Sequence, residues 1–449
     1  MSTDTIYALA SGHGRAGIAV IRLSGPRAHV ALSALSGDKP VPAPRQAALR
    51  RLTDPASGHP IDDALVLTFT APASFTGEDV VELHLHGGRA IIDATVAALN
   101  AMDGLRLAAP GEFTRRAFEN NRLDLTEAEA VADLIDAETE AQRLQALDQL
   151  SGSLKTLYHG WADRLTRALA YIEADIDFPD EDLPDGVVAA VTPDINGLIE
   201  EITRHLSDNR RGERLRDGVM IAILGAPNTG KSSLLNAIAD RDAAIVSDIA
   251  GTTRDVIEVH LDLGGYPVTL LDTAGLRETA DVIETEGIRR ALARAEEADL
   301  KLLVVDAVDI DPAQPALPAA LVPHAHHGAI IVINKADLAG DLPVTLDGYP
   351  VVTVSAKHGT GLNNLLHALE HEVKASLEAA GSGPSLTRAR HREALEEARI
   401  SLSRAISAEE PELAAEDTRL ALRALGRITG RVDVEDLLDV IFRDFCIGK

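Results

Sequence analysis

Gly225-Ala-Pro-Asn-Thr-Gly-Lys-Ser232 sets a glycine, four residues and then Gly-Lys-Ser in line, the spacing of a loop that wraps phosphate. Each residue type has a task. The glycines let backbone N–H groups close around phosphate oxygens, Lys231 reaches the outer phosphates, and the Ser232 hydroxyl can bind Mg²⁺. The candidate contacts are Asn228, Thr229, Gly230, Lys231, Ser232 and Ser233. Farther on, Asp272-Thr273-Ala274-Gly275 offers a carboxylate that can hold Mg²⁺ through water and a backbone N–H for a terminal phosphate. Asn334-Lys335-Ala336-Asp337 adds a second carboxylate. Asp337 can accept from both N1–H and the exocyclic amine of guanine, donors that adenine lacks on that edge, and unpaired polar groups penalise the wrong base by roughly 10⁴-fold. Ser355-Ala356-Lys357 completes a base pocket.

Elements placed to present these groups can be read around them. Val219 to Leu224 is an apolar run that predicts a buried strand ahead of the loop. Ser233 to Ala239 predicts a helix with Leu234, Leu235 and Ile238 on one face. Strands Val268 to Leu271, Ala329 to Ile333 and Val351 to Val354 precede the other three motifs, so all of them fall where parallel strands end. The order and spacing read as a GTPase domain. Between the loop and Asp272, Val246 to Asp255 reads as a first switch segment: Ser247, Asp248, Ile249, Ala250, Gly251, Thr252 and Thr253 are candidate nucleotide contacts, with Thr253 a second Mg²⁺ ligand. Leu276 stands where Ras-type enzymes have a water-orienting glutamine, so another group must act. The Asn228 side chain could hold a monovalent cation against the phosphates.

At 449 residues the chain exceeds one ordinary core, and two to four domains are expected. Aromatic residues are 3%, so the cores must be built from Leu, Val, Ile and Ala. A formal charge of −27 argues against a basic coat for nucleic acid. The charge is uneven: residues 1–122 carry 12 basic and 12 acidic groups, residues 123–185 carry 4 and 16. One cysteine permits no intrachain disulfide and suits a reducing compartment. With no membrane-length apolar stretch and no signal-peptide pattern, a cytoplasmic protein without a membrane partner is expected.

Residues 1–120 read as α/β, with strands at Gly17 to Leu23, Ala64 to Thr70 and Val80 to His86 and a helix through Ile91 to Leu99; Lys39 to Pro60 reads as a loop or hairpin edge. Alternation puts Glu82, His84 and His86 on one strand face, either metal ligands or a polar face lining a cleft. His324, His326 and His327 read as solvated. A capping box is expected at Thr126 to Glu129, followed by helical periodicity to about Asp175. Phe178 to Gly186 is an acidic break, and another helix is expected from Pro193 to Asn209. The nucleotide domain occupies 217–375; after the linker Gly381 to Pro384, helices resume from Leu386 to Phe445. The fold class is α/β and α multidomain: an N-terminal α/β domain (1–120) and a helical domain in two pieces (121–216 and 376–449) with a Ras-like P-loop GTPase domain inserted between them.

The G motifs with Asn228 resemble those of potassium-activated GTPases. The whole chain resembles the MnmE (TrmE) family of tRNA-modifying GTPases, through Asp4-Thr-Ile, Gly17 to Gly25, Phe75 to Glu82, Pro110 to Phe118, Leu123-Asp-Leu125 and the ending Phe445-Cys-Ile-Gly-Lys449. That resemblance implies a K⁺-dependent homodimeric GTPase with a folate-binding and dimerising N-terminal domain. With the FAD-dependent partner MnmG, in a heterotetrameric complex, it would add a (carboxymethyl)aminomethyl group to C5 of the wobble uridine of certain tRNAs. The one-carbon unit would come from 5-formyl- or methylene-tetrahydrofolate. It further implies K⁺ ligands at Asn228, Ser247, Ile249 and Thr252, Mg²⁺ ligands at Ser232 and Thr253, and a water-orienting Glu284. Folate contacts would be Arg22, Glu82, Arg122 and Lys449. Ser247 stands where the family more often has threonine, and Arg122 where it often has lysine. Cys446 is either a participant in the folate-site chemistry or a small buried hydrophobe.

Two other readings compete. A ribosome-assembly GTPase of the same class would carry a basic RNA-binding domain, which neither the neutral residues 1–122 nor the acidic helical flanks supply. A folate-dependent aminomethyltransferase acting alone would alkylate tRNA without a flavoprotein.

Overall fold

The computed structural model describes residues 4–12, 14–177, 187–241, 258–272, 296–311, 313–325, 328–378, 384–432, 435–443 and 445–448. The chain divides into two compact units. One comprises Met1–Ala132, Gln149–Val188 and Ser407–Lys449; the other comprises Asp133–Asp148 and Ala189–Ile406.

The first unit holds a six-stranded sheet of β1 (Thr5–Leu9), β2 (Ala16–Ser24), β3 (Ala48–Thr53), β4 (Pro60–Phe69), β5 (Val80–Gly87) and β6 (Leu105–Leu107). The strand order is β3-β4-β5-β2-β1-β6. Only the β1–β6 pair is parallel. An antiparallel sheet with one packed face should alternate, and β5 does: Val81, Leu83 and Leu85 are buried, while Glu82, His84 and His86 turn to the other side. The helices Ala28–Leu35 and Arg89–Asn100 cover the apolar face, with Leu32, Leu35 and Leu99 in the core. The proline- and glycine-rich stretch before Pro60 supplies the edge strand β3.

The predicted run to Asp175 is three helices, Leu125–Asp136, Glu140–Leu150 and Ser153–Asp177. The breaks have local causes. Gln142 Oε1 accepts from the N–H groups of Glu138 and Thr139, at 3.0 Å each, restarting a helix inside the alanine-rich run. Gly152 adopts φ +90°, which ends the next turn. The capping box also lies two residues earlier than expected. Asp124 Oδ1 accepts from Glu127 N at 2.9 Å and Glu127 Oε2 accepts from Asp124 N at 2.8 Å, so Asp124 rather than Thr126 is the cap. In the first unit Ser153–Asp177 packs on Pro411–Thr429, joined by an Arg419–Glu173 ion pair at 2.7 Å.

The second unit holds a seven-stranded sheet of β7 (Val219–Leu224), β8 (Glu258–Leu263), β9 (Tyr266–Asp272), β10 (Leu300–Asp306), β11 (Ala329–Asn334), β12 (Thr345–Leu346) and β13 (Tyr349–Thr353). Its order is β12-β13-β11-β10-β7-β9-β8. The five strands from β13 to β9 run parallel, and β12 and β8 are antiparallel edges. Parallel strands are covered on both faces, which is why they read as unbroken apolar runs. The helices Lys231–Ala239 and Leu362–Glu378 pack on the sheet through Leu234, Leu235, Leu365 and Leu369. The helix Val187–Leu206 begins six residues before the expected start, with Pro193 inside it. Its buried stripe Val191, Ile195, Leu198 and Ile202 straddles the proline, and that packing outweighs one missing backbone hydrogen bond. Among the described residues no helix is long and apolar enough to cross a membrane.

Candidate functional site

In the second unit the five parallel strands end at one crevice. β7 lies between β10 and β9, so the chain leaves it to one side and later returns on the other; such a switch point opens a cleft at the carboxyl ends of parallel strands. The loop after β7 runs into the helix Lys231–Ala239 with Gly230 at its start, φ +87°. Neither glycine of the loop can be replaced without a clash. A Cβ on Gly225 would lie 2.4 Å from the Val304 carbonyl oxygen, and one on Gly230 would lie 2.4 Å from Asn334 Nδ2.

The predicted contacts gather around that loop. Lys231 Nζ donates to the carbonyls of Gly225 and Ala226 at 2.8 and 2.9 Å. Its burial pushes the ammonium below the ordinary lysine range, partly offset by Asp272. The Ser232 hydroxyl donates to Asp272 Oδ2 at 2.6 Å, so two hard oxygen ligands stand together at the helix start, a donor set that suits Mg²⁺. Thr229 is buried and donates its hydroxyl to Ala226 O at 2.9 Å. Asn228 is exposed with φ +66°, and Ser233 is exposed on the helix.

Asn334, 1% exposed, is the joint between loops. Its Nδ2 donates to Thr229 O at 2.9 Å, and its Oδ1 accepts from Ala356 N at 3.1 Å. It therefore ties the phosphate loop to the Ser355 segment through one amide. Ala336 N donates to Val354 O at 3.1 Å, holding the two base-side segments together. Ser355 donates its hydroxyl to Asp337 Oδ1 at 2.5 Å, which holds the Asp337 carboxyl below the usual carboxylate range, with His358 and Lys357 adding to the effect. Asp337 thus stands ionised with Oδ2 3.6 Å from His358 Nε2. Lys357 is exposed beside it.

One residue of this cleft escapes sequence reading. Asp306 ends β10 and accepts from Lys335 Nζ at 2.5 Å. The available signal is a carboxylate closing an apolar strand, as Asp272 closes β9.

Several sequence candidates lie outside the described residues: Ser247, Asp248, Ile249, Ala250, Gly251, Thr252 and Thr253, then Thr273, Ala274, Gly275, Leu276 and Glu284, and also His326, His327 and Lys449. His324 is half-buried rather than solvated, its ring Nδ1 3.4 Å from Lys301 Nζ, because the β10 lysine reaches over it.

The first unit carries a second cluster. Arg22 and Glu82 face each other across β2 and β5 and pair at 3.0 Å, both largely covered. The Arg22 guanidinium also sits over Phe75 and Phe113, 5.6 and 5.8 Å from the ring centres. His84 Nε2 is 3.6 Å from Glu82, whereas His86 Nδ1 turns away to Asp62 at 2.8 Å. Among the described residues no group of three His, Cys, Asp or Glu side chains is arranged to hold a metal ion. Arg122 is exposed and runs its stem along the Gly77 turn, 3.3 Å from where a Cβ there would lie.

Much of the remaining motif sequence is structural. Arg116, with its side chain 4% exposed, bonds Asp4, Glu78 and Glu112; Ser24 donates to Glu78 at 2.7 Å; and Arg106 pairs with Asp4 and Glu112. The C-terminal segment is seated on the same unit. Ile447 bridges to Pro110, Gly111 N donates to Cys446 O at 3.4 Å, and Gly448 packs against the end of β1. Cys446 is exposed, so it is no buried hydrophobe.

A phosphate-type loop, a serine–aspartate pair and an Asn-Lys-x-Asp segment on a parallel sheet, joined in one chain to a second α/β sheet and a set of helices, define a multidomain P-loop GTPase. The model of the GTP-binding protein TrmE N-terminus matches residues 5–122 and that of the MnmE helical domain matches residues 125–446. The tRNA modification GTPase MnmE of Parvibaculum lavamentivorans is 59% identical, over 99% of this chain and 100% of that protein. That of Paramagnetospirillum magneticum is 58% identical, over 100% of both. Among solved structures, the G domain of the T. maritima FeoB iron transporter is 26% identical and covers 36% of this chain and 99% of that one, with a TM-score of 0.26. The chain belongs to the MnmE family of tRNA modification GTPases.

Proposed function

We propose that this GTPase is K⁺-dependent and works with an MnmG-type, FAD-dependent partner in a heterotetrameric complex. Together they add a (carboxymethyl)aminomethyl group to C5 of the wobble uridine of certain tRNAs, the one-carbon unit coming from 5-formyl- or methylene-tetrahydrofolate. The protein acts in the cytoplasm as a homodimer. Its working parts are an N-terminal folate domain (1–120), a two-piece helical domain (121–216 and 376–449) and the GTPase domain (217–375).

The observation that carries this reading is the Asn334 side chain, which joins the phosphate loop to the base-side segments at 2.9 and 3.1 Å. That arrangement suits one ligand with phosphates at one end and guanine at the other. In it, Asp337 would accept from the guanine edge, Lys231 would turn from its two carbonyls to the phosphates, and Ser232 with Thr253 and Asp272 would hold Mg²⁺. Asn228, Ser247, Ile249 and Thr252 would hold K⁺. When bound, K⁺ would supply positive charge to the transition state, as an arginine finger does elsewhere, an effect worth about 10³–10⁵ in rate. Glu284 orients the attacking water through a second water, since Leu276 cannot.

In the first unit, Glu82 suits the N–H edge of a pterin, with Arg22 paired beside it at the same end, and Arg122 and Lys449 suit the carboxylates of a folate tail. The Phe75 ring beside Arg22 offers a flat apolar surface to the same ligand. Mass spectrometry of wobble uridine from cells carrying Lys231→Ala tests the reading. Loss of the modified uridine with normal protein level is expected; full modification would separate nucleotide turnover from the tRNA chemistry.

A further inference from the structure

We infer that Asp306 is a positioning residue of the nucleotide pocket: by pinning the Lys335 ammonium it fixes the base-reading segment against the phosphate loop, and so sets how tightly a guanosine nucleotide spanning the two is held. The inference rests on the reading of this cleft as a guanine-nucleotide site.

Asp306 ends β10 directly opposite Asn334 in the β10–β11 register. It is 6% exposed, and its two oxygens have separate tasks. Oδ1 accepts from Val308 N at 3.2 Å and shapes the turn that follows, whereas Oδ2 accepts from Lys335 Nζ at 2.5 Å. Lys335 itself is held at φ +61°, a left-handed conformation that a side-chain-bearing residue keeps only when its surroundings impose it. Leu338 N donates to Lys335 O at 2.9 Å, fixing the backbone, and Asp306 fixes the far end of the side chain. Between those ends the lysine stem passes Gly230, with Cε 3.9 Å from where a Cβ there would lie. The stem is therefore a brace running from the base-side loop past the phosphate loop to Asp306.

Preorganisation of this kind lowers the ordering cost of binding. A hydrogen bond between charged groups is strong, but the Lys335 side chain is 33% exposed, so solvent takes part of its worth. About a tenfold effect on affinity is expected on that footing.

Asp306→Asn is the discriminating variant, because its Oδ1 can still accept from Val308 while the negative charge facing Lys335 is removed. With the full-length protein, release of a fluorescent GDP and the KM and kcat for GTP are measured in wild type, Asp306→Asn, Lys335→Ala and the double variant. The inference predicts KM for GTP and Kd for GDP raised about tenfold in Asp306→Asn, with kcat changed by less than about twofold. It also predicts no further loss when Asp306→Asn is added to Lys335→Ala. Wild-type affinity in Asp306→Asn, or additive losses in the double variant, would overturn it, leaving Asp306 with the Val308 turn alone. Asp337→Asn serves as the control. If it changes base preference while Asp306→Asn does nothing, this inference alone falls; if it changes nothing either, the guanine-pocket reading falls and the inference with it. Should Asp306→Asn unfold, Asp306→Glu retains the charge one methylene farther out, and an unchanged GDP release rate there and in Lys335→Ala would likewise overturn the inference.

Discussion

At the scale of single residues, the pocket is built of side chains that hold one another. Asp337 is kept ionised by the Ser355 hydroxyl, so it presents acceptors only, the complement of the guanine edge. Asp337→Asn replaces one acceptor by a donor facing the exocyclic amine of guanine. Affinity for GTP should fall at least about a hundredfold, and xanthosine triphosphate, which offers an oxygen at that position, should become the better ligand. Competition binding with the two nucleotides decides it; unchanged selectivity would contradict the assignment.

At the scale of elements, the C-terminal tail and one helix make separable predictions. Gly448 has φ +99°, and a Cβ there would lie 2.2 Å from the Leu9 carbonyl oxygen. Gly448→Ala must lift the Cys446–Gly448 segment from β1 while leaving the sheet core untouched. Calorimetric titration with 5-formyltetrahydrofolate should show at least about a tenfold loss of affinity, with the melting temperature shifted by only a few degrees. Unchanged affinity would remove the tail from the folate site.

In the helix Val187–Leu206, burial pushes the His205 imidazole down to about 4; Asp208 opposes this and Arg392 adds to it. The unfolded chain takes up that proton near pH 6.5 and the folded one does not. The contribution is therefore complete above pH 6.5 and is lost as pH falls toward 4, on the order of 2 kcal/mol. Urea unfolding followed at pH 7 and pH 4.5 should show His205→Asn shrinking the acid loss by about that amount. An equal loss in both proteins would place the acid sensitivity elsewhere.

The same elements show what a sequence discloses. The parallel strands and the motifs at their ends were legible because burial on both faces leaves an apolar run and a sharp polar stop. β5 was legible through its alternation. The breaks at Thr139 and Gly152 were hidden because alanine-rich periodicity continues across them. Asp306 was hidden because its partner Lys335 lies in the turn just beyond β11, and only the β10–β11 pairing, which sets Asp306 against Asn334, brings the two together. The Asp4–Arg116 pair, which explains two separated motifs as one ionic network, was concealed because its partners stand far apart in sequence and meet only in the fold.

For the whole molecule, a strongly acidic chain in a family that modifies tRNA must meet its polyanionic substrate locally or through a partner, since its long-range field repels it. That is consistent with the proposed division of labour with a flavoprotein partner. This GTPase carries Leu276 where Ras-type enzymes have a water-orienting glutamine, so on the proposed reading its rate should depend on the alkali cation. The most direct measurement is GTP hydrolysis by the purified full-length protein in equal concentrations of KCl and NaCl, with Asn228→Ala alongside. At least about tenfold faster turnover in K⁺, with the difference lost in Asn228→Ala, is the predicted result. Equal rates in the two salts would contradict the account.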